Sequence, residues 1–166
     1  MFVLGIDPGL SVTGYALVEA GPEAMRAVAA GVIRTDPDQP MAQRLAELFG
    51  DLESLIAEHR PAAVAVERVF VNRNLQTAEG VGRATGVVLL AAARAGLTVS
   101  EYSPSAVKKA IVGVGTAPKP QIQQVVARRL GLERAPEPAD AADALAVAIC
   151  HLQSAPLQRA IRRSQR

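Results

Sequence analysis

Asp7 ends an apolar opening segment, FVLGID, and is followed at once by Pro8 and Gly9. A carboxylate there is either part of a turn, since Asp-Pro-Gly is a turn signal, or a metal ligand at the end of a strand. Glu67 raises the same question in AAVAVER. An ionised Glu in so apolar a run is costly unless it is paired or coordinates a cation. Asp140 and Asp143, in PADAADALAVAICH, are three residues apart and share one face of a helix. Their ordinary reading is a helix cap and a favourable charge in the first turn. Four carboxylates from three separate segments, converging at one sheet edge, would make an oxygen-rich site suited to Mg²⁺ or Mn²⁺. Thiol and imidazole chemistry has little support. Cys150 stands alone, and His59 and His151 have no second ligand at zinc-site spacing. Both histidines read as surface or helix-end residues.

The elements that would position these acids can be read from periodicity. The opening strand alternates, with Phe2, Leu4 and Ile6 on one face and Val3, Gly5 and Asp7 on the other. A tight turn and a second strand follow, and RAVAAGVIR, 26–34, is a third. Pro40 suits a first helical turn. Leu45, Leu48, Leu52, Leu55 and Ile56 recur at helical spacing until Pro61. AAVAVERVF, 62–70, reads as a buried strand, and a long helix follows over about 75–95. LTVSEY is the fifth strand. Ser103 and Pro104 then open a helix as N-cap and first residue. A glycine loop leads to a helix through QIQQVVARRL, and a last helix starts near Ala139 or Asp140 and ends near Gln153. The order is β-β-β-α-β-α-β-α-α-α. The strands starting at Phe2, Ala62 and Leu97 can run parallel, which puts Asp7 and Glu67 at the same sheet edge, where open α/β sheets bind ligands. Ala78, Gly82 and Gly86 share one face of the long helix, which predicts close packing by another helix of this chain or of a second copy.

The chain has 166 residues, 49% hydrophobic and 20% charged, enough for one globular domain. We divide it into a single domain over residues 1–154 and a basic, mobile tail over 155–166, which carries four Arg and no acid. One cysteine excludes an internal disulfide and fits the cytoplasm. No signal peptide or membrane span is expected. The net charge of +2 divides unevenly: −6 over residues 1–67 and +8 over 68–166. That asymmetry points to an acidic site in one region and a basic surface for a polyanion in the other.

Four segments together, GIDPGLSVTGYALVE, VAVERVFVNRN, YSPSAVKKAIVGVGTAPKPQ and DAADALAVAICH, resemble the RuvC family of Holliday-junction resolvases, in order and over almost the whole chain. The resemblance implies an α/β, RNase H-like fold: a five-stranded mixed sheet flanked by helices. It implies a homodimer that nicks two opposing strands of a four-way DNA junction in recombination and repair, alongside the RuvA and RuvB branch-migration proteins. Asp7, Glu67, Asp140 and Asp143 match the family's acids, and Asp7 would be the central ligand of two Mg²⁺ or Mn²⁺ ions. Lys119, and with it Lys108, would stabilise the charged transition state. Phe70 would stack on an unpaired base at the opened junction, its ordinary reading being core packing. Arg73, Lys108, Lys109 and Lys119 are the phosphate-contact candidates. Lys119 departs from the family in lying between Pro118 and Pro120. With Thr116 as N-cap, both prolines would fall in the first turn, where missing N–H groups cost little.

Two other classes compete. An ATP-binding protein of the actin and sugar-kinase type shares a similar opening hairpin, but it needs two such domains. GVGTAPKP also lacks the Gly-Lys-Ser/Thr ending of a phosphate loop. A catalytically silent nucleic-acid-binding module of the same fold is the remaining alternative. Clustered acids argue against it, because binding DNA alone does not favour them.

Overall fold

A computed structural model describes residues 2–68, 75–134 and 136–164. Its ten elements follow the expected order: β1 (Phe2–Asp7), β2 (Val12–Ala20), β3 (Met25–Arg34), α1 (Met41–His59), β4 (Ala63–Glu67), α2 (Leu75–Arg94), β5 (Thr98–Tyr102), α3 (Pro104–Val112), α4 (Lys119–Arg129) and α5 (Ala139–Ser164). The sheet order is β3-β2-β1-β4-β5. β1, β2 and β3 pair antiparallel, and β4 joins β1 and β5 in parallel. The sheet is therefore mixed and five-stranded, with β1 at its centre.

Alternation along β1 produces two cores. Leu4 and Ile6 pack with Leu48, Leu52 and Ile56 of α1 and Ala84, Val88 and Ala91 of α2. Val3 faces the other layer, where α5 supplies Ala144, Leu145 and Ala148 and α3 supplies Val107 and Ile111. Gly5 lies beneath α5, and a Cβ there would come 2.2 Å from the Ala144 carbonyl oxygen. Gly14, the β2 partner of Asp7, is equally close, its Cβ falling 2.1 Å from the Asp140 carbonyl oxygen. These two glycines let the α5 backbone rest directly on the sheet.

Helix ends follow local chemistry with two departures. The Ser103 hydroxyl accepts from the Ala106 amide at 3.2 Å, and Gly113 closes α3 at φ 85°. Pro118, not Thr116, is the N-cap of α4, so Lys119 itself is the first helical residue and Pro120 the second. Neither proline removes an amide that the helix uses. α5 continues to Ser164, past the end expected near Gln153. Among the described residues no helix is long and apolar enough to cross a membrane.

Candidate active site

The four acids arrive on one face at one edge of the sheet. β1 and β4 run in register, Ile6 beside Val66, so Asp7 and Glu67 are the next residues at their shared C-terminal end. Both point toward the α5 layer, because Gly5 and Ala65 two residues earlier do so. α5 starts at Ala139, which places Asp140 inside its first turn rather than at the cap. Its backbone there sits on Gly14, directly beside Asp7 across the β1–β2 pair. Asp143 follows one turn later and accepts a 2.6 Å hydrogen bond from Lys119 Nζ.

Electrostatics bind the group together. Burial, then Glu67, Asp143 and Asp140, push Asp7 from 3.8 up to about 8, against a smaller opposite pull from Lys119. Burial and Asp143 also raise Glu67, while Lys119, Lys108 and a hydrogen bond to Asp7 lower it. Lys119 is held above its ordinary range, chiefly by its bond to Asp143. A cavity of about 180 Å³ opens between these groups, lined by Glu67, Pro104, Lys108, Lys119, Asp143 and Ala146. A larger cleft, about 490 Å³, lies along Ala27–Ala30 of β3 and includes none of the four acids.

Could this donor set hold a divalent cation? Among the described residues, no three Asp, Glu, His or Cys side chains already form a coordination shell. The chemistry of the donors nonetheless fits. Burial and the neighbouring carboxylates raise the proton affinity of Asp7 and Glu67 at this edge. A bound hard cation relieves that repulsion, and oxygen ligands are what it prefers.

The strained carboxylate gives a pH prediction. An acid whose folded value is raised favours the fold below its unfolded value and loses that contribution as pH rises through the folded one. For Asp7 the window runs from 3.8 to about 8, and Glu67 acts in the same direction. The metal-free protein should therefore lose thermal stability between pH 5 and pH 8.5 (roughly the upper part of that window). Asp7→Asn should flatten much of this slope. Scanning calorimetry in chelator at several pH values is the measurement, and equal slopes for the two proteins would contradict the cluster's electrostatics.

The basic candidates divide. Lys108 and Lys119 line the cavity, whereas Lys109 is exposed on α3 and outside that lining. Phe70 and Arg73 lie outside the described residues. His59 ends α1 as expected, but His151 is buried, its Nδ1 sharing a 2.9 Å hydrogen bond with the Tyr102 hydroxyl. Sequence reading missed Arg44, which is buried on the core stripe of α1. Its signal was available: position 44 precedes Leu48, Leu52 and Ile56 at four-residue steps.

The family model for crossover junction endodeoxyribonuclease RuvC matches residues 3–151. A crossover junction endodeoxyribonuclease RuvC of Heliobacterium modesticaldum is 55% identical over 150 residues, covering 90% of this chain and 93% of that one. One from Moorella thermoacetica is 49% identical over 156 residues, covering 94% and 93%. The solved structure of T. thermophilus RuvC in complex with Holliday junction substrate is 38% identical and superposes with a TM-score of 0.90, covering 95% and 96% of the two chains.

Proposed function

This chain belongs to the RuvC family of crossover junction endodeoxyribonucleases, and from that premise we propose how its own residues resolve a Holliday junction. It is a nuclease of the RNase H-like fold, and its substrate is the four-way DNA junction. The observation that carries the reading is the position of Asp7, on the central strand with Glu67 on one side and the Asp140 turn on the other.

Asp7, Glu67, Asp140 and Asp143 are the residues that would hold the metal, with Asp7 shared because it is central. Two Mg²⁺ or Mn²⁺ ions bound there would supply an activated water and neutralise charge at the leaving oxygen. The chain's part is positional. Asp7 and Glu67 sit at the ends of paired strands and cannot drift apart without breaking the sheet. Lys119 is tied to Asp143 at the cavity, and Lys108 stands beside it. Both ammonium groups are available to the extra negative charge that develops on the phosphate. The products are a 5′-phosphate and a 3′-hydroxyl. Arg73 and Lys109 contribute phosphate contacts, and Phe70 stacks on a base exposed at the junction centre.

Symmetric cutting calls for two sites, and α2 supplies a surface for a two-fold. Its groove of about 260 Å³ is lined by Ala78, Gly82, Gly86 and Leu89, with Arg68 and Glu101 at the sheet side. A Cβ added to Gly82 or Gly86 meets nothing within 4 Å. The small face is therefore open within the described chain, and a second copy can approach it closely. Gly82→Leu should turn a dimer into monomers by light scattering and uncouple the paired nicks. A dimer that survives the change would exclude this face. Residues 1–154 act as one nuclease domain, in the cytoplasm, with RuvA and RuvB as branch-migration partners.

A synthetic four-way junction with Mg²⁺ tests the whole reading. Paired nicks at symmetric positions, absent in chelator, are expected. A protein that binds the junction tightly and never cuts it would instead be the silent module.

A further inference from the structure

Arg44 occupies a position where α1 otherwise places Leu48, Leu52 and Ile56. Only 7% of it is exposed. Burying a guanidinium is costly unless its charge is paired, yet Arg44 has no carboxylate partner among the described residues. Its Nε donates to the Thr35 hydroxyl at 3.0 Å and its Nη2 to the Ser11 hydroxyl at 2.8 Å. Thr35 in turn donates from its hydroxyl to the Leu10 carbonyl at 2.6 Å. The Thr35 amide donates to the Ser11 carbonyl at 3.2 Å. Within the same turn, the Thr13 hydroxyl donates to the Gly9 carbonyl at 2.6 Å.

All but the Arg44–Thr35 bond end on the β1–β2 turn, the segment that leaves Asp7, and Thr35 itself bonds to that turn twice. Arg44 reaches it from α1 directly and through the end of β3. A leucine at position 44 would bury more cheaply but would remove the tie from α1 to Ser11 and to Thr35, leaving the turn held only from the end of β3. The cation that acts electrostatically on Asp7 is Lys119, so Arg44 has a mechanical hold on it.

We infer that Arg44 is a positioning residue for the metal-binding carboxylate Asp7, acting through Ser11 and Thr35 on the Gly9–Ser11 turn. This rests on the reading of Asp7 as a metal ligand. Groups that orient metal ligands from behind commonly change metal affinity or activity by ~10–100-fold when removed. The position needs a fork of donors, which an ammonium supplies only in part.

The test uses the full-length protein with Mn²⁺ as the probe. Free Mn²⁺ is read by electron paramagnetic resonance, junction binding is measured in chelator, and nicking is followed in a single turnover. Arg44→Met should weaken Mn²⁺ binding ~10-fold and slow nicking at subsaturating Mn²⁺ ~10–100-fold, with junction affinity unchanged. Arg44→Lys should recover part of both losses. Ser11 is exposed, so Ser11→Ala will fold even if Arg44→Met does not, and it should show the same pattern in weaker form. Wild-type Mn²⁺ affinity and rate in Ser11→Ala and in any folded Arg44→Met would overturn the inference. So would lost junction affinity with Mn²⁺ binding intact, which would make the guanidinium a DNA contact. Asp7→Asn run alongside separates the two levels. If it too binds Mn²⁺ and cuts normally, the ligand reading has failed rather than the role of Arg44.

Discussion

Asp7→Asn will bind a four-way junction as tightly as the unmodified protein and cut it ~100–1000-fold more slowly, the range for losing one preorganised charge-stabilising group. The amide is nearly the same size, so the register of β1 between β2 and β4 is undisturbed. What changes is charge. Burial, then Glu67, Asp143 and Asp140, raise the proton affinity of Asp7, so it is a carboxylate that a bound cation would relieve. Replacing it removes a ligand and the buried charge that the neighbouring acids repel. Because the substitution relieves repulsion, the variant should be at least as stable as the parent near pH 8. Electrophoretic binding in chelator, single-turnover cleavage and calorimetry on the same preparation are the measurements. Cleavage within tenfold of the parent would end the metal-site reading.

Gly14→Ala will be severely destabilised although it adds one methyl group. Its Cβ would lie 2.1 Å from the carbonyl oxygen and 2.6 Å from the carbonyl carbon of Asp140, and backbone atoms cannot step aside as a side-chain tip can. Either α5 lifts off the sheet at its first turn or β2 bends away. Overpacking of a tight core commonly costs 1–3 kcal/mol, and a backbone collision of this depth belongs at or above ~3 kcal/mol. Gly5→Ala meets the Ala144 carbonyl and Ala148 in a similar way, but one turn farther along α5 from Asp140. The two should therefore separate. Both lower the denaturation midpoint, whereas Gly14→Ala additionally weakens Mn²⁺ binding at temperatures where it remains folded, because Asp140 moves with its backbone. Equal metal affinity in both variants would mean that Asp140 is placed by something other than its contact with Gly14.

The strands were legible because the signals for them were local. Alternation in FVLGID sorts Leu4 from Val3, and the structure sends each to a different core. The carboxylates were legible for another reason: a charge in an apolar strand or helix has few inexpensive explanations. Thr116 was the natural cap by residue type, yet Pro118 caps α4 and Lys119 begins it, because the path out of the 113–117 loop, not side-chain preference, decides where the first turn closes. His151 was read as a helix-end residue but is buried against Tyr102, a partner 49 positions away that no local pattern reveals. Gly5 and Gly14 are similar cases. Each looks like a weak strand residue until α5, more than a hundred positions later, is laid across it. Arg44 sat in plain view within a leucine stripe, and only its hydroxyl partners, Ser11 and Thr35, explain it.

Where α5 rests on the sheet, Ala144 and Ala148 lie over bare Gly5 and the Asp140 backbone over bare Gly14. Alanine has no rotamers to lose on burial, whereas a leucine face gives up roughly 0.5–1 kcal/mol per side chain in conformational freedom. The contact is thus made with little entropic cost from its side chains. It is also made without adjustable parts: no rotamer change can absorb a small slip of the helix along the strands. Thermal motion of Asp140 and Asp143 relative to Asp7 then becomes motion of one backbone against another, which is the stiffest coupling a fold provides. Heating should loosen this arrangement late and all at once, as the helix leaves the sheet, rather than by gradual softening of the site.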